Sequence, residues 1–235
     1  GMGDFAVPPA VMKRTIGIET VSCRPAAFRR LTGAVSTRDI AAEIEADRRR
    51  FKMGKASPKA MRLSEIMCVA VRRWIADERL TAFTMNFLDV NRASGLPTVP
   101  FLAASKAMAG GIGYAGEGDI LTAALVGALA SVYPDTSFTE MFCPDWKGNR
   151  VFLSHMGEVN PDLLADKATL AEMDYQFSDA ANPIRALGCF RGGPAVFVNL
   201  APLPGGRYRL ILSSVAMQTI KGRDRMKDLV HGWFK

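Results

Sequence analysis

The chain has 235 residues, of which 49% are hydrophobic, and it carries a net charge of +7 and four cysteines. No apolar run reaches the roughly 18 residues of a membrane span, and the N-terminus lacks the segments of a signal peptide, so a cytoplasmic protein without a membrane partner is expected. The cysteines lie far apart with no C-x-x-C spacing, which argues against a zinc or redox motif and predicts free thiols.

Two helices are predicted in the first third of the chain. "STRDIAAEIEADRRRF" has Ser36 or Thr37 as a possible N-cap and apolar residues on one face, which predicts a helix over residues 38–51. A second, more apolar helix is expected after the cap Ser57, with Pro58 in its first turn. Basic residues are concentrated here, but they alternate with acidic residues of the first helix, which are Asp39, Glu43, Glu45 and Asp47. A solvated helix face is therefore expected, and a nucleic-acid partner is not.

An α/β pattern continues toward the middle of the chain. "TAFTMNFLDV" contains β-branched and aromatic residues and predicts a strand. "TVPFLAASKAMAGG" predicts a helix ending at Gly110 and Gly111, and Asp119 is placed to cap a buried helix over "ILTAALVGALASVY". Helix, strand, loop and helix in this order are typical of an open α/β sheet.

From residue 136 onward the pattern favours antiparallel strands. "TSFTEMFCPDW" and "RVFLSHMGEV" flank the turn "KGN", and "GPAVFVNLAP" and "RYRLILSSVAMQ" flank "LPGG". The predicted fold class is therefore α/β, with a Rossmann-like open α/β domain over residues 1–150 followed by an antiparallel β-rich domain over residues 151–235.

The segment "GIGYAG" contains a G-x-G-x-x-G motif at Gly111, Gly113 and Gly116. A dinucleotide site needs a strand immediately before the first glycine, whereas the preceding "AASKAMAG" reads as a helix. We therefore expect a loop between two helices and no phosphate cradle. A helix C-cap followed by an N-cap explains some of its residues but leaves Tyr114 and Glu117 unexplained, which makes this loop a candidate site.

A second candidate site lies in the first β-hairpin. Glu140 is predicted to share a strand face with Phe138 and Phe142, a costly place for an unpaired carboxylate. Across the turn lie His155 and Glu158, and together with Glu140 they could hold Mn²⁺ or Mg²⁺. His155 and Glu158 face opposite sides of a regular strand, so they converge only if Gly157 introduces a bulge. The alternative is a surface Glu158 and a hydrogen-bonded His155.

Three segments together resemble one enzyme family. They are "LTAFTMNFLD", "GLPTVPFLAASKAMAGGIGYAGEGDILTAALVGAL" and "TSFTEMFCPDWKGNRVFLSHMGEVNP". In content, order and spacing they resemble the L-arabinose and L-fucose isomerase superfamily, whose members are metal-dependent aldose–ketose isomerases. "GDFAVPP" and "GGPAVFVNLAPLPGGRYRLIL" match more loosely.

The resemblance implies roles for individual residues. Glu140 corresponds to the first acidic ligand of the metal ion, which also transfers protons, and Glu158 corresponds to the second. Tyr114 matches an aromatic residue of the sugar pocket, and Glu117, Asp119 and His155 complete the predicted substrate-binding set. Mn²⁺ or another divalent ion, an ene-diol intermediate, a sugar substrate and a homo-oligomer are implied in the same way.

The resemblance is incomplete in two respects. The family's site also contains histidines, whereas this chain has Tyr175 and Gln176 where one is expected and only His231 near its end. The match is confined to the middle and early C-terminal parts of family chains, and the opening "GM" is typical of an expression remnant. We therefore expect a fragment or shortened relative that binds metal weakly and is poorly active alone. The alternative is a non-catalytic sugar-binding or assembly module of the same fold.

Overall fold

The computed structural model describes residues 7–91, 93–220 and 224–235. The opening "GM" and residues 3–6 of "GDFAVPP" lie outside this range. The helices of the described residues are α1 Pro9–Ile16, α2 Pro25–Gly33, α3 Thr37–Arg50, α4 Pro58–Asp77, α5 Phe101–Ala109 and α6 Ile120–Ala130. The strands are β1 Lys52–Met53, β2 Ala82–Thr84, β3 Gly113–Ala115, β4 Glu140–Asp145, β5 Arg150–His155, β6 Thr169–Glu172, β7 Ile184–Cys189, β8 Gly193–Leu203, β9 Arg207–Met217 and β10 Val230–Phe234.

These strands form a small sheet and a large one. β2 and β3 pair in parallel, with Phe83 opposite Tyr114. The large sheet has the order β1-β6-β7-β10-β5-β4, and the β8–β9 hairpin joins it where β9 pairs with β10. The α/β class is confirmed, as are the β4–β5 and β8–β9 hairpins.

The larger of two hydrophobic clusters in the described residues extends from the helical first third to the large sheet. It includes Phe28 and Trp74 from the helical first third and Ile184 and Val230 from the large sheet. β1, although early in sequence, pairs in parallel with β6 of the same sheet. The division into domains over residues 1–150 and 151–235 stays a prediction.

The predicted helix starts are confirmed at α3 and α4. Ser36 accepts a hydrogen bond from the Asp39 amide at 3.1 Å, and Asp39 accepts one from the Ser36 amide at 3.0 Å, which is a capping box. Ser57 caps α4 by accepting from the Ala60 amide at 3.1 Å.

No helix in the described ranges has both the length and the apolar character needed to cross a membrane.

The strand predicted over "TAFTMNFLDV" is shorter than expected. β2 ends at Thr84, and a 3-10 turn follows over Phe87–Asp89. The side chain of Asn86 accepts a hydrogen bond from the Leu88 amide at 3.1 Å, which favours the turn over an extended chain.

The expectation of a fully solvated acidic face on α3 is wrong. Asp47 is 2% exposed, and its carboxylate lies 2.8 Å from the ammonium group of Lys106 on α5. The same ammonium group lies 2.9 Å from Glu65 of α4 and 3.3 Å from Glu43 of α3. Lys106 therefore ties three helices together through buried ion pairs, and sequence periodicity gave no sign of it because the cation comes from a distant helix.

The balance of charge in this cluster depends on a proton at Glu65. Burial raises the pKa of Glu65 to about 8; the positive charge of Lys106 opposes the shift, and Asp47 adds to it through a hydrogen bond and its negative charge. No donor in the described part of the chain reaches Glu65 Oε1 or Asp47 Oδ2. A proton on Glu65 supplies a donor for its hydrogen bond with Asp47.

This proton predicts how stability changes with pH. Between pH 4.5 and 8 the folded chain keeps the Glu65 proton while the unfolded chain releases it, so the free energy of unfolding falls as pH rises. Glu65→Gln retains a donor and an acceptor without titrating. We expect a weaker decline in this variant, measured by urea unfolding across that range. Glu45→Gln, at an exposed position, should keep the wild-type decline, and parallel curves for all three proteins would contradict the assignment.

The structure also corrects the description of "GIGYAG" as a simple loop between helices. Gly113 to Ala115 form β3, which runs parallel to β2 and leads toward α6. A Cβ on Gly113 would collide with the backbone of Ala123 and Gly127, and one on Gly127 would lie 2.6 Å from the Thr81 carbonyl oxygen. These glycines therefore allow β2, β3 and α6 to pack closely. The absence of a phosphate cradle stays a prediction, and Asp119 caps the helix that follows this segment.

Gly113→Ala should strongly destabilise the fold, because the atoms that its methyl group meets belong to backbone and cannot rotate away. We expect the free energy of unfolding to fall by about 1–3 kcal/mol or more. Gly33→Ala, at the end of α2 with no atom within 4 Å of the added Cβ, is the matched control. Equal denaturation midpoints for the two variants would contradict the close packing of β3 on α6.

Candidate functional site

A cavity of about 80 Å³ lies between β3, the end of β5 and the segments around residues 85–101 and 173–177. Most of its wall is apolar or aromatic, formed by Met85, Phe87, Val99, Pro100, Phe101, Met156, Tyr175 and Phe177. Its polar end is formed by Tyr114, Gly116, Glu117, His155 and Glu158. An apolar wall with convergent polar groups at one end is the usual character of a small-molecule site.

A chain of polar contacts crosses this end of the cavity. The Tyr114 hydroxyl donates to Glu158 Oε1 at 2.9 Å, and Glu158 Oε2 lies 2.7 Å from Nδ1 of His155. On the other side of the imidazole ring, Nε2 lies 3.7 Å from Glu140 Oε1. The structure therefore brings together Tyr114, Glu140, His155 and Glu158, and the histidine separates the two carboxylates.

His155 and Glu158 converge, as predicted for a chain deformed at Gly157, but at a bend after the strand and not at a bulge within it. β5 ends at His155, and the chain then bends at Gly157, whose φ is +131°. A side chain at this position would collide with Arg185 of β7. Because only glycine readily adopts this backbone and fits this space, the bend returns Glu158 to the side of the histidine.

The predicted environment of Glu140 is wrong in one detail. Phe138 is buried and its ring lies edge-on to those of Tyr114 and His155, at centroid distances of 6.2 and 4.9 Å. Phe142 is 51% exposed and does not share a buried face with Glu140. The β4–β5 register shifts between Met141 and Cys143, which breaks the alternation that the prediction assumed.

His155 carries the positive charge of the site. Burial disfavours its charged form, but the charge and hydrogen bond of Glu158 and the charge of Glu140 outweigh this effect, and the pKa of His155 is raised to about 9. At neutral pH its ring is therefore an imidazolium that donates Nδ1–H to Glu158. Burial is also the main cause that raises the pKa of Glu140, with His155 opposing and the nearby acidic groups adding to the shift.

Glu117 and Asp119 have different surroundings. Glu117 lines the cavity and holds a left-handed backbone, with φ of +64°. Asp119 accepts a hydrogen bond from the Thr122 amide at 2.9 Å and is the N-cap of α6. The capping interaction accounts for Asp119, and its role toward a sugar stays a prediction.

The other candidate positions do not supply a second histidine. His231 is opposite Ser154 in the β5–β10 pair and so lies on the face of the sheet away from His155. Its Nε2 lies 3.4 Å from Asp224. Tyr175 lines the cavity, whereas Gln176 donates to Asp174 at its exposed surface.

In this arrangement the residues do not fit a divalent ion. Glu158 already uses one oxygen for Tyr114 and the other for His155. The imidazole ring of His155 occupies the space between the two carboxylates, with Nδ1 2.7 Å from Glu158 and Nε2 3.7 Å from Glu140. Within residues 7–91, 93–220 and 224–235, no group of three His, Cys, Asp or Glu side chains is placed to hold a metal.

Two buried residues that support this site were absent from the sequence prediction. Ser105 of α5 bonds to the backbone on both sides of Glu158. Asn160 donates to the carbonyl groups of Pro134 and Thr136 and holds the segment that leads to Glu140. A serine within a helix and an asparagine before a proline are common in proteins, so neither residue carried a signal that sequence reasoning could use.

The chain matches the models of two protein-family domains. The model of the L-arabinose isomerase central domain matches residues 15–133, and that of the C-terminal domain matches residues 135–230. The chain belongs to the L-arabinose isomerase family. The predicted resemblance is thereby confirmed. The two family models meet between residues 133 and 135.

Individual L-arabinose isomerases match parts of the chain. L-arabinose isomerase 1 of Bacillus licheniformis is 33% identical over 166 residues, covering 69% of this chain and 33% of that protein. The L-arabinose isomerase of Leuconostoc mesenteroides is 36% identical over 147 residues, covering 61% and 30% respectively. That of Thermotoga neapolitana is 33% identical over 165 residues, covering 68% and 32%. The matched region thus spans about a third of the length of these relatives.

The contact between Tyr114 and Glu158 can be tested by removing one oxygen atom. Tyr114→Phe leaves a buried carboxylate oxygen without its donor, so we expect the free energy of unfolding to fall by about 1–3 kcal/mol. Urea denaturation measures the change. Tyr133→Phe, at a side chain that is 63% exposed, should have little effect. Similar losses in both variants would contradict a stabilising Tyr114–Glu158 bond.

Proposed function

We propose that this chain forms part of an aldose–ketose isomerase site that acts on an open-chain sugar. The observation that carries the proposal is the contact chain from Tyr114 through Glu158 and His155 to Glu140 at the polar end of an apolar cavity. Membership of the L-arabinose isomerase family makes L-arabinose the first substrate to test. The cytoplasmic location and a homo-oligomer remain predictions.

Glu140 is the proposed proton-transfer group. It stands beyond the imidazole ring of His155, which lines the cavity, and its side chain is 37% exposed, so it is accessible to a bound sugar. As a carboxylate it removes the proton from C2 of the aldose and later returns it to C1. Burial and neighbouring acids raise its pKa, which increases its proton affinity and suits this task near neutral pH.

His155 is the proposed acid at the sugar oxygens. Its Nε2–H donates a proton to the C1 carbonyl oxygen as the C2 proton leaves, which gives the ene-diol. In the second half the ring recovers a proton from the C2 hydroxyl while Glu140 protonates C1, so both groups return to their starting states. Glu158 keeps the ring charged and oriented, and Tyr114 holds Glu158.

No step of this proposal depends on the predicted Mn²⁺, and its binding is tested separately. The family resemblance implies that Glu140 and Glu158 hold the ion, which would polarise the sugar carbonyl when bound. Because both oxygens of Glu158 are already hydrogen-bonded, we expect weak Mn²⁺ binding by this chain.

A non-catalytic sugar-binding module is the second candidate. It is favoured by the same set of contacts around Glu158, which stabilises the site but engages both oxygens of this carboxylate in hydrogen bonds. Both candidates predict that the chain binds a sugar, but only the isomerase predicts that the sugar is converted. Sugar binding without isomerisation under any condition, including added Mn²⁺ and the presence of the rest of a family chain, would favour this module.

The test combines binding and turnover in the 235-residue chain. We expect L-arabinose to perturb the NMR signals of His155 and Tyr114, and we expect little isomerisation with or without Mn²⁺, because the match covers only a third of the relatives. Glu140→Gln should remove any turnover that is detected while preserving binding, and Glu45→Gln, at an exposed position, should change neither. If saturating sugar leaves the signals of the cavity residues unmoved, the proposal is wrong.

A further inference from the structure

Ser105 is a fully buried serine whose hydroxyl group bonds to backbone atoms of the segment that contains Glu158. Its hydroxyl donates to the carbonyl oxygen of Gly157 at 3.2 Å and accepts from the amide of Val159 at 3.1 Å. These two backbone groups lie immediately before and after Glu158. One side chain therefore closes a hydrogen-bonded clamp around the residue that contacts both Tyr114 and His155.

The clamp is attached to a firmly held helix. The next residue of α5, Lys106, forms the buried ion pairs with α3 and α4. Gly157, within the clamped segment, also packs directly against Arg185 of β7. The segment is thus held between a fixed helix and a strand of the large sheet, and the Ser105 hydroxyl sets its orientation relative to α5.

We infer that Ser105 is a positioning residue of the site, which holds Glu158 in place to bind and orient His155. The inference rests on the proposed function in that Glu158 and His155 belong to the sugar site. A purely structural role would consist only of satisfying two buried backbone groups. Ser64 of α4 provides that comparison, because it is also buried and accepts from the amide of Ile184 at 2.8 Å, a residue outside the site.

The experiment compares Ser105→Ala with Ser64→Ala by NMR of the histidine rings. The chain has two histidines, and His231, on the other face of the sheet, is an internal reference. In the wild type the Nδ1 proton of His155 should be protected and shifted downfield by its bond to Glu158. We expect Ser105→Ala to raise the exchange rate of this proton by about tenfold, the effect of weakening one buried hydrogen bond. Ser64→Ala should lower thermal stability while leaving the His155 signal unchanged.

An unchanged His155 signal in folded Ser105→Ala would overturn the positioning role, as would an equal change in Ser64→Ala. If Ser105→Ala does not fold, Ser105→Cys replaces it, because a thiol fills the space but forms weak hydrogen bonds. The same rise in the exchange rate of the His155 Nδ1 proton is then expected. The measurement uses no sugar, so its failure is distinct from the failure of the isomerase proposal, which is tested by binding and turnover.

Discussion

Much of this architecture depends on the ion pairs of the buried Lys106 ammonium group. It places α5 against α3 and α4 by contacts with Asp47, Glu65 and Glu43. A buried lysine is costly without partners, and removal of one member of such a cluster leaves the others uncompensated. The ion pairs therefore fix which side of α5 faces the other helices and which side faces the large sheet.

The side of α5 that faces the sheet supports the candidate site. Phe101, at the start of this helix, forms part of the cavity wall, and Ser105 bonds to the segment that contains Glu158. The charged cluster and the polar end of the cavity are thus linked by one short helix. This link gives a physical reason why a site with few polar residues can keep a defined geometry.

Part of the acidic charge in the site is offset by a residue of the protein itself. His155 lies between Glu140 and Glu158, and its positive charge takes the place that a cation would need between two carboxylates. The acidic residues that suggested a metal in the sequence therefore have a partner from the same motif.

The membership of Glu140, His155 and Glu158 in one site could be predicted from residue types and the family resemblance. The histidine's position between them could not, because it depends on the bend at Gly157 and the pairing of β4 with β5.

The sequence by itself determined the features that depend on neighbouring residues. The capping box at Ser36 and the hairpin turns involve contacts within a few positions, and the family motifs are contiguous segments. Tertiary structure alone decided that Asp47 faces inward to Lys106, that Gly113 begins a strand against α6, and that Ser105 bonds to Val159, which is 54 residues away. The physical reason is that a local pattern specifies an element and its apolar face, whereas the partner of a buried polar group comes from whichever distant segment packs against it.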